Sequence, residues 1–252
     1  MPKKSKVQNL GTEYVSLPTN PDKKHHESWV SKSGKTTRKI GNIPRPYRAI
    51  FCSQPSRGKT FTAQQLILRA KPHFDALYVV SAYTETEEWD PMDPTGILPE
   101  IPDPSFWDEH KDDRVLLILE DFEVRNRQDE HALSSLFRWC SSHCCKGITV
   151  YLLYQDWFRI PIIARHCADF FVLWSNVDLS SRKLIERRVG LEDGQLTELF
   201  KLCKKPTDSI CIDKTPNSPY PLRFNLFKPI KDVLMNNTDI GPERAGAGAF
   251  PD

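Results

Sequence analysis

Short, mostly apolar segments alternate with helical segments through the middle of the chain, and this alternation is the strongest constraint on its fold. A strand that is apolar on both faces has to be buried on both faces, as happens when helices cover both sides of a parallel sheet. The sequence therefore predicts an α/β domain with a mostly parallel central sheet flanked by helices. The predicted strands are 48–53, 76–81, 115–120, 148–154, 169–174, 209–212 and 222–227.

Helices are predicted between these strands, near 60–70, 129–142, 179–189 and 194–202. A short helical turn is predicted after Pro161. Together, these elements place one domain over residues 47–230, which suits a chain of 252 residues. Residues 1–46 lack apolar periodicity and are predicted to be a disordered arm, and residues 231–252 are predicted to be a loose tail.

The arm is basic, although the net charge of the whole chain is only +2. Residues 1–46 carry ten Lys or Arg side chains against three carboxylates, so the rest of the chain is mildly acidic. A basic arm suits a polyanionic partner such as double-stranded DNA, and such arms also serve as solubilising or targeting segments.

A strongly acidic segment interrupts the alternation at residues 84–113. It holds eleven carboxylates against one lysine, with five prolines between Pro91 and Pro104. We predict a surface insertion, attached to the domain through Phe106 and Trp107. Its charge would repel phosphate, so it is not expected to contact DNA.

Neither export nor membrane insertion is expected. No apolar segment follows the start MPKKSK, so a secretory signal is not predicted, and the longest apolar runs are too short to span a bilayer. The seven cysteines have no regular spacing, which is typical of reduced thiols. Cys140, His143 and Cys144 share one helical face and could bind zinc, but without a clear fourth ligand such residues are more often buried small side chains.

Two segments end like a phosphate-binding loop. Such a loop lies between a buried strand and a helix, where backbone N–H groups surround a phosphate, a lysine binds the outer oxygens and a Ser or Thr hydroxyl binds Mg²⁺. SKSGKTT at 31–37 lacks this context and has Trp29 in place of the first glycine, so it is excluded. SQPSRGKT has the context, with a serine where the first glycine is usual, which an unstrained backbone would allow. Its predicted nucleotide-binding residues are Ser53, Gln54, Pro55, Ser56, Arg57, Gly58, Lys59 and Thr60.

A pair of carboxylates stands at the end of the strand 115–120, as an ATPase requires for its Mg²⁺ and attacking water. We assign Glu120 to the Mg²⁺ side, with Thr60, and Asp121 to the water side. The order is the reverse of the common Asp-Glu pair, so the two roles are exchangeable. Gln155 follows the next strand and could reach the γ-phosphate or orient water. No Asn-Lys-x-Asp string for reading guanine occurs, which favours ATP.

Three arginines flank the strand 148–154 in sequence: Arg138, Arg159 and Arg165. One of them could stabilise charge on a γ-phosphate bound to an adjacent subunit. For each arginine taken alone, a surface ion pair is the more common role. Arg165 is the first candidate for the catalytic role and Arg138 its rival.

In order, these features are a strand with a GKT loop, a strand ending in LILED, the run LFRWCSSHCCKGITVYLLYQD, and IPIIARHCADFFVLW. Over residues 47–230, this order resembles the viral genome-packaging ATPases of the FtsK/HerA superfamily. The resemblance implies a P-loop NTPase fold with ATP and Mg²⁺ as cofactors. It also implies a ring of identical subunits that threads double-stranded DNA into a preformed capsid, with capsid or portal-vertex proteins as partners. The corresponding location is the virion or the host-cell assembly site.

Carried onto this chain, the resemblance implies that Lys59 and Thr60 bind phosphates and Mg²⁺, that Glu120 and Asp121 serve the metal and the water, and that Gln155 senses the γ-phosphate. It also implies that Arg165 acts in trans, with Arg138 as the rival.

Two other functions stay open. A small P-loop kinase would have a lid rich in arginine, whereas the segment 84–113 in that position is acidic. A virion structural or scaffold protein could keep the fold without turnover, consistent with Ser53 and the inverted carboxylate pair.

Overall fold

The computed structural model describes residues 27–31, 33–82 and 87–230 of the chain. Residues 1–26 of the predicted arm and the whole predicted tail lie outside them. The strands are β1 (Arg48–Cys52), β2 (Ala76–Val80), β3 (Gly96–Leu98), β4 (Val115–Glu120), β5 (Ile148–Tyr154), β6 (Phe170–Trp174), β7 (Ser209–Asp213), β8 (Leu222–Phe224) and β9 (Lys228–Pro229).

The α-helices are α1 (Lys59–Arg69), α2 (Arg127–Ser135), α3 (Ser141–His143), α4 (Ile162–Cys167), α5 (Leu179–Val189) and α6 (Gln195–Phe200). A π-helical turn, Leu136–Cys140, joins α2 to α3, and two 3₁₀ helices span Glu87–Met92 and Pro104–His110. Local signals set several ends. The side chain of Asp178 accepts a hydrogen bond from the Ser181 amide at the start of α5, and Gly190 ends that helix with a φ of 81°.

The strands form one sheet in the order β3-β2-β4-β5-β1-β6-β7-β8-β9. The first six are parallel to one another, and the last three join as antiparallel neighbours. This mostly parallel sheet with flanking helices confirms the predicted fold class. It also places β1 beside β5, and β5 beside β4, so the residues after these three strands meet at one edge of the sheet.

Both faces of the sheet are covered, which explains why its central strands are apolar throughout. On β1, Ile50 and Cys52 belong to one apolar cluster, and Ala49 and Phe51 to the other. The first cluster includes side chains of α2, the π-helical turn, α5 and α6, and the second includes side chains of α1. Strand β1 is therefore buried on both faces, whereas residues 54–56 of the loop that connects it to α1 are exposed.

The predicted boundary of the arm at residue 46 is wrong for the residues that the structure describes. Trp29 is fully buried in the cluster beside α1, and its indole N–H donates to the hydroxyl of Thr215 at 2.7 Å. Ile43 is buried in the same cluster, and Arg45 forms an ion pair with Glu27 at 2.9 Å. Isolated anchors such as these carry no periodic signal, so the sequence does not reveal that residues 27–31 and 33–46 belong to the domain.

The acidic insertion is also more deeply integrated than the sequence predicts. Its short strand β3 pairs parallel to β2 at the edge of the sheet. Trp107 is buried, as predicted, and Phe106 packs edge-on against it with ring centroids 5.0 Å apart. Trp89, which the sequence analysis did not single out, is fully buried as well. Residues 84–86, at the start of the insertion, and residue 83 before it are outside the described part of the chain.

A buried ion pair near the end of the described chain contacts Trp29, near its beginning. The side chains of Asp213 and Arg223 are fully buried and form a salt bridge between β7 and β8. The Arg223 guanidinium also lies over the Trp29 ring, 5.4 Å from its centroid, and Asp213 accepts hydrogen bonds from Thr215. Removing one member of such a pair is strongly destabilising, because a charge is left buried without compensation.

Within the described ranges, none of the helices is long and apolar enough to cross a membrane.

Candidate functional site

The edge of the sheet formed by the carboxyl ends of β1, β5 and β4 carries a cavity of about 750 Å³, a volume typical of ligand pockets. The loop after β1, the two carboxylates at the end of β4 and Gln155 after β5 all contribute to its wall. The predicted site residues that line it are Pro55, Ser56, Gly58, Lys59, Thr60, Glu120, Asp121 and Gln155. The side chains of Ser53, Gln54 and Arg57 lie outside this wall.

The loop between β1 and α1 turns through two residues with left-handed backbone, Ser56 with φ 59° and Gly58 with φ 87°. Ser53, which stands where a glycine is usual, has no left-handed backbone and is buried. Its amide donates to Tyr154 O at 3.1 Å, and its hydroxyl donates to Gln54 O at 3.0 Å. A serine therefore fits the start of this loop without strain, which meets the condition set by the sequence analysis.

Lys59 is the basic side chain in the cavity wall. Its ammonium group donates to Ser53 O at 3.0 Å, so the side chain folds back across the loop. Burial lowers the pKa of Lys59, while the neighbouring charge of Asp121 raises it. A half-buried ammonium group with carboxylates nearby is suited to bind an anion that arrives with its own cation.

Glu120 ends β4 and turns into the cavity. Its carboxylate accepts a hydrogen bond from the indole N–H of Trp89 at 3.1 Å. Burial raises the pKa of Glu120, the hydrogen bond from Trp89 lowers it, and the charges of Glu88 and Asp121 raise it. The neutral N–H of Trp89 thus holds the Glu120 carboxylate close to two other negative charges.

Asp121 and Gln155 form a second polar contact in the cavity. The Gln155 side-chain amide donates to the Asp121 carboxylate at 2.8 Å. The backbone of Asp121 is left-handed, with φ 43°, and its amide donates to Leu153 O at 2.9 Å. A left-handed backbone at a residue other than glycine is uncommon, and here it coincides with the contact between the Asp121 carboxylate and Gln155.

The acidic insertion supplies a wall of the cavity that the sequence analysis missed. The Thr60 hydroxyl donates to the Glu88 carboxylate at 3.2 Å, and the Gln64 side chain donates to Glu88 O at 2.7 Å. Glu87 and Pro91 line the same cavity. A tryptophan within an otherwise acidic, proline-rich segment was the available signal, because Trp89 fixes this segment against the domain.

The three candidate arginines lie outside the cavity wall. The guanidinium of Arg165, on α4, lies 5.8 Å from the centroid of the Trp157 ring, and its Nε is buried without a hydrogen-bond partner among the described residues. Arg138 is exposed on the π-helical turn. Arg159 is exposed and forms an ion pair with Glu123 at 3.1 Å. Catalytic use of Arg165 or Arg138 thus stays a prediction about neighbouring subunits.

Cys140, His143 and Cys144 do not form a metal cluster. Both thiols are buried, whereas the His143 ring is stacked on Trp139 with centroids 6.0 Å apart. Over the part of the chain that the structure describes, no three His, Cys, Asp or Glu side chains are grouped so as to hold a metal ion.

Solved structures with the same fold place this cavity in context. The genome packaging NTPase B204 from Sulfolobus turreted icosahedral virus 2, in complex with sulfate, matches with a TM-score of 0.51 and 12% sequence identity, over 73% of this chain and 97% of that chain. Its complex with AMPPCP gives a TM-score of 0.50 and 14% identity, over 73% and 98%. The cytoplasmic domain of the type VII secretion ATPase EccC from Thermomonospora curvata gives a TM-score of 0.51 and 9% identity, over 88% of this chain and 30% of that chain.

The fold is that of a P-loop ATPase. A genome-packaging NTPase is the kind of protein that the sequence motifs resemble, so the resemblance is confirmed at the level of fold. No protein-family model matches the sequence, and no curated protein matches it. At these identities the P-loop ATPase fold is shared while individual side chains differ, so each functional residue has to be argued from its own position.

Proposed function

We propose that this chain is an ATP-hydrolysing translocase that moves double-stranded DNA and packages a viral genome into its capsid. The observation that carries the proposal is the convergence of Lys59, the Glu120–Asp121 pair and Gln155 on one cavity at the carboxyl edge of a parallel sheet. Phosphoryl transfer from ATP to water requires little more than these groups, a cation and correct positioning. The fold neighbours include a genome packaging NTPase, which favours this substrate over others.

In this proposal, the amides of the loop 53–60 surround the β-phosphate, and Lys59 moves from Ser53 O to the outer phosphate oxygens. Thr60, through its hydroxyl, and Glu120 would hold Mg²⁺, which would offset the negative charge of the phosphates. Mg²⁺ is often held by substrate phosphates and only one or two carboxylates, so the lack of a three-ligand cluster among the described residues fits a cation that arrives with the nucleotide.

Asp121 and Gln155 are assigned to the attacking water and the γ-phosphate. Their hydrogen bond leaves the second carboxylate oxygen of Asp121 for a water molecule, whose proton it would accept. Arg165, or its rival Arg138, would reach the γ-phosphate of an adjacent subunit in a homo-oligomeric ring. Capsid or portal-vertex proteins would hold that ring at the virion or its assembly site.

Steady-state ATP hydrolysis, measured with and without double-stranded DNA, tests the proposal. We expect the wild-type chain to hydrolyse ATP and to be stimulated by DNA, and Lys59→Ala to lose turnover by at least about a hundredfold. Lys35→Ala is the matched control, because Lys35 belongs to the excluded GKT string and lies exposed in a turn between Val30 and Thr36. It should behave like the wild type.

The same assay separates the alternatives. A small P-loop kinase would consume ATP only when a small phosphate acceptor is added, and a virion scaffold protein would show no turnover with or without DNA. Either result contradicts the translocase proposal. Hydrolysis that is insensitive to DNA would support the ATPase activity and contradict its coupling to DNA movement.

A further inference from the structure

We propose that Trp89, in the acidic insertion, is a positioning residue for the active site: its indole N–H fixes the Glu120 carboxylate in the orientation that ATP hydrolysis requires. The inference rests on the proposed ATPase function and adds to it a residue outside the loop, the two strand ends and the candidate arginines. Trp89 touches neither nucleotide nor water in this scheme, so its effect passes through Glu120.

The contact between the two residues is specific. The indole of Trp89 has a single polar atom, which can only donate, and that atom faces the Glu120 carboxylate at 3.1 Å. The ring is fully buried, so it cannot exchange this acceptor for solvent. A buried tryptophan usually places its N–H on a partner, and here the partner is the carboxylate beside the phosphate loop.

Glu120 needs such a donor because the negative charges around it would otherwise repel its carboxylate from this position. Glu88 and Asp121 are like charges in the same cavity wall, and the lysine of that wall, Lys59, is bonded to Ser53 O. Like charges repel the carboxylate, whereas the N–H of Trp89 holds one of its oxygens while Glu120 lines the cavity. Outer partners of this kind commonly orient the groups that act on a metal or substrate.

Trp89 is itself held in place by α1, the helix that starts at the phosphate loop. It shares an apolar cluster with Ala63 and Leu66, and the adjacent Glu88 carbonyl accepts a hydrogen bond from the Gln64 side chain at 2.7 Å. The indole is thus fixed to the helix that carries Lys59 and Thr60. Trp89 therefore links α1, which follows the phosphate loop, to the carboxylate at the end of β4.

The test compares Trp89→Phe with Trp174→Phe. Phenylalanine keeps an aromatic ring and removes the N–H. Trp174 is an equally buried tryptophan, and its N–H donates to a backbone carbonyl, that of Thr207, at 3.2 Å, outside the cavity. We expect Trp89→Phe to lower kcat for ATP about tenfold with less than about a twofold change in KM, and Trp174→Phe to change neither. Equal losses of kcat in the two variants would mean that the effect is structural and would overturn the inference.

A spectroscopic measurement tests the hydrogen bond between Trp89 and Glu120 without relying on turnover or on the folding of Trp89→Phe. The chain has six tryptophans, so its indole ¹H–¹⁵N spectrum contains six signals. We expect Glu120→Gln to move one indole signal strongly and to leave that of Trp174 in place, and Mg²⁺ with AMPPCP to move the same signal in the wild type. If Glu120→Gln moves none of the six, Trp89 does not hold Glu120. If the wild type has no turnover while the signal moves, the ATPase proposal fails and the Trp89–Glu120 contact stands.

Discussion

The hydroxyl of Thr60 donates a hydrogen bond to the carboxylate of Glu88 at 3.2 Å, across 28 positions of the sequence. This contact brings the acidic insertion to the hydroxyl that we propose binds Mg²⁺. The cavity wall holds one lysine and four carboxylates, those of Glu87, Glu88, Glu120 and Asp121. Such a wall repels nucleotide phosphates unless a divalent cation accompanies them.

Glu88→Gln removes one of these charges, and we expect it to strengthen the binding of metal-free AMPPCP about threefold. The gain is modest because Glu88 is exposed and salt screens its charge. Binding of Mg²⁺–AMPPCP should change less, since the cation already offsets the wall. Calorimetric titration with and without Mg²⁺ measures both affinities. Glu100→Gln makes the same charge change in the insertion outside this cavity, and an equal effect there would contradict a role for Glu88.

Gly58→Ala should weaken nucleotide binding through the backbone alone. A Cβ at Gly58 would meet nothing within 4 Å, but the backbone has φ 87° and ψ 26°, where an L side chain costs about 1–2 kcal/mol. Gly190 has φ 81° and ψ 26°, an equally open Cβ position, and a place at the end of α5 outside the cavity. We expect both variants to lose similar free energy of unfolding in denaturant, and only Gly58→Ala to lose affinity for Mg²⁺–AMPPCP. Retained affinity in Gly58→Ala would mean that the loop does not bind phosphate.

If Arg165 acts on the γ-phosphate of a neighbouring subunit, two inactive variants should complement each other. Arg165→Ala lacks the arginine and Lys59→Ala lacks nucleotide binding, so mixing them creates interfaces in which both functions are intact. We expect the mixture to recover part of the ATPase activity. Arg159→Ala is the control and should be active on its own, because Arg159 makes an exposed ion pair with Glu123.

Absence of recovery at every mixing ratio would remove Arg165 from this role. The same experiment with Arg138→Ala tests its rival.

Deleting residues 1–26 should leave the domain folded and make DNA binding less dependent on salt. These residues carry five lysines against two carboxylates, and each lysine that contacts a phosphate steepens the salt dependence. Deletion to residue 45 would also remove the buried Trp29, and loss of a buried tryptophan side chain costs about 3–5 kcal/mol. Thermal melting compares the two deletions, and salt titrations of DNA binding measure the slope. An unchanged slope after deletion of 1–26 would exclude this part of the arm from DNA binding.

The strands at the centre of the sheet could be predicted because burial on both faces leaves a continuous apolar pattern. Strands β4 and β5 have the predicted limits, and α5 spans 179–189 as predicted. The loop between β1 and α1 could also be predicted, because its glycine, lysine and threonine occur in a fixed order between a recognisable strand and a recognisable helix.

The contribution of the insertion could not be predicted, because it depends on single long-range contacts. Trp89 reaches Glu120 across 31 positions, and Glu88 reaches Thr60 across 28. Neither pair follows a helix or strand period, and the charge of the segment indicated a solvated surface. Strand β3 has three residues, none of them fully buried, so it gives little apolar signal. The burial of Trp29 could not be predicted either, because its hydrogen bond to Thr215 is also a single long-range contact.

Because Asp213 and Arg223 neutralise each other inside the core, we expect related sequences to keep both residues or to replace both together. Replacing only one of them leaves the other charge buried without a partner and costs about 3–5 kcal/mol of stability. Replacing both with well-packed apolar side chains often leaves the stability unchanged. Stepwise mutation therefore meets a barrier that a coordinated change avoids. In descendants of a common ancestor, these two positions should be inherited as a unit and co-vary.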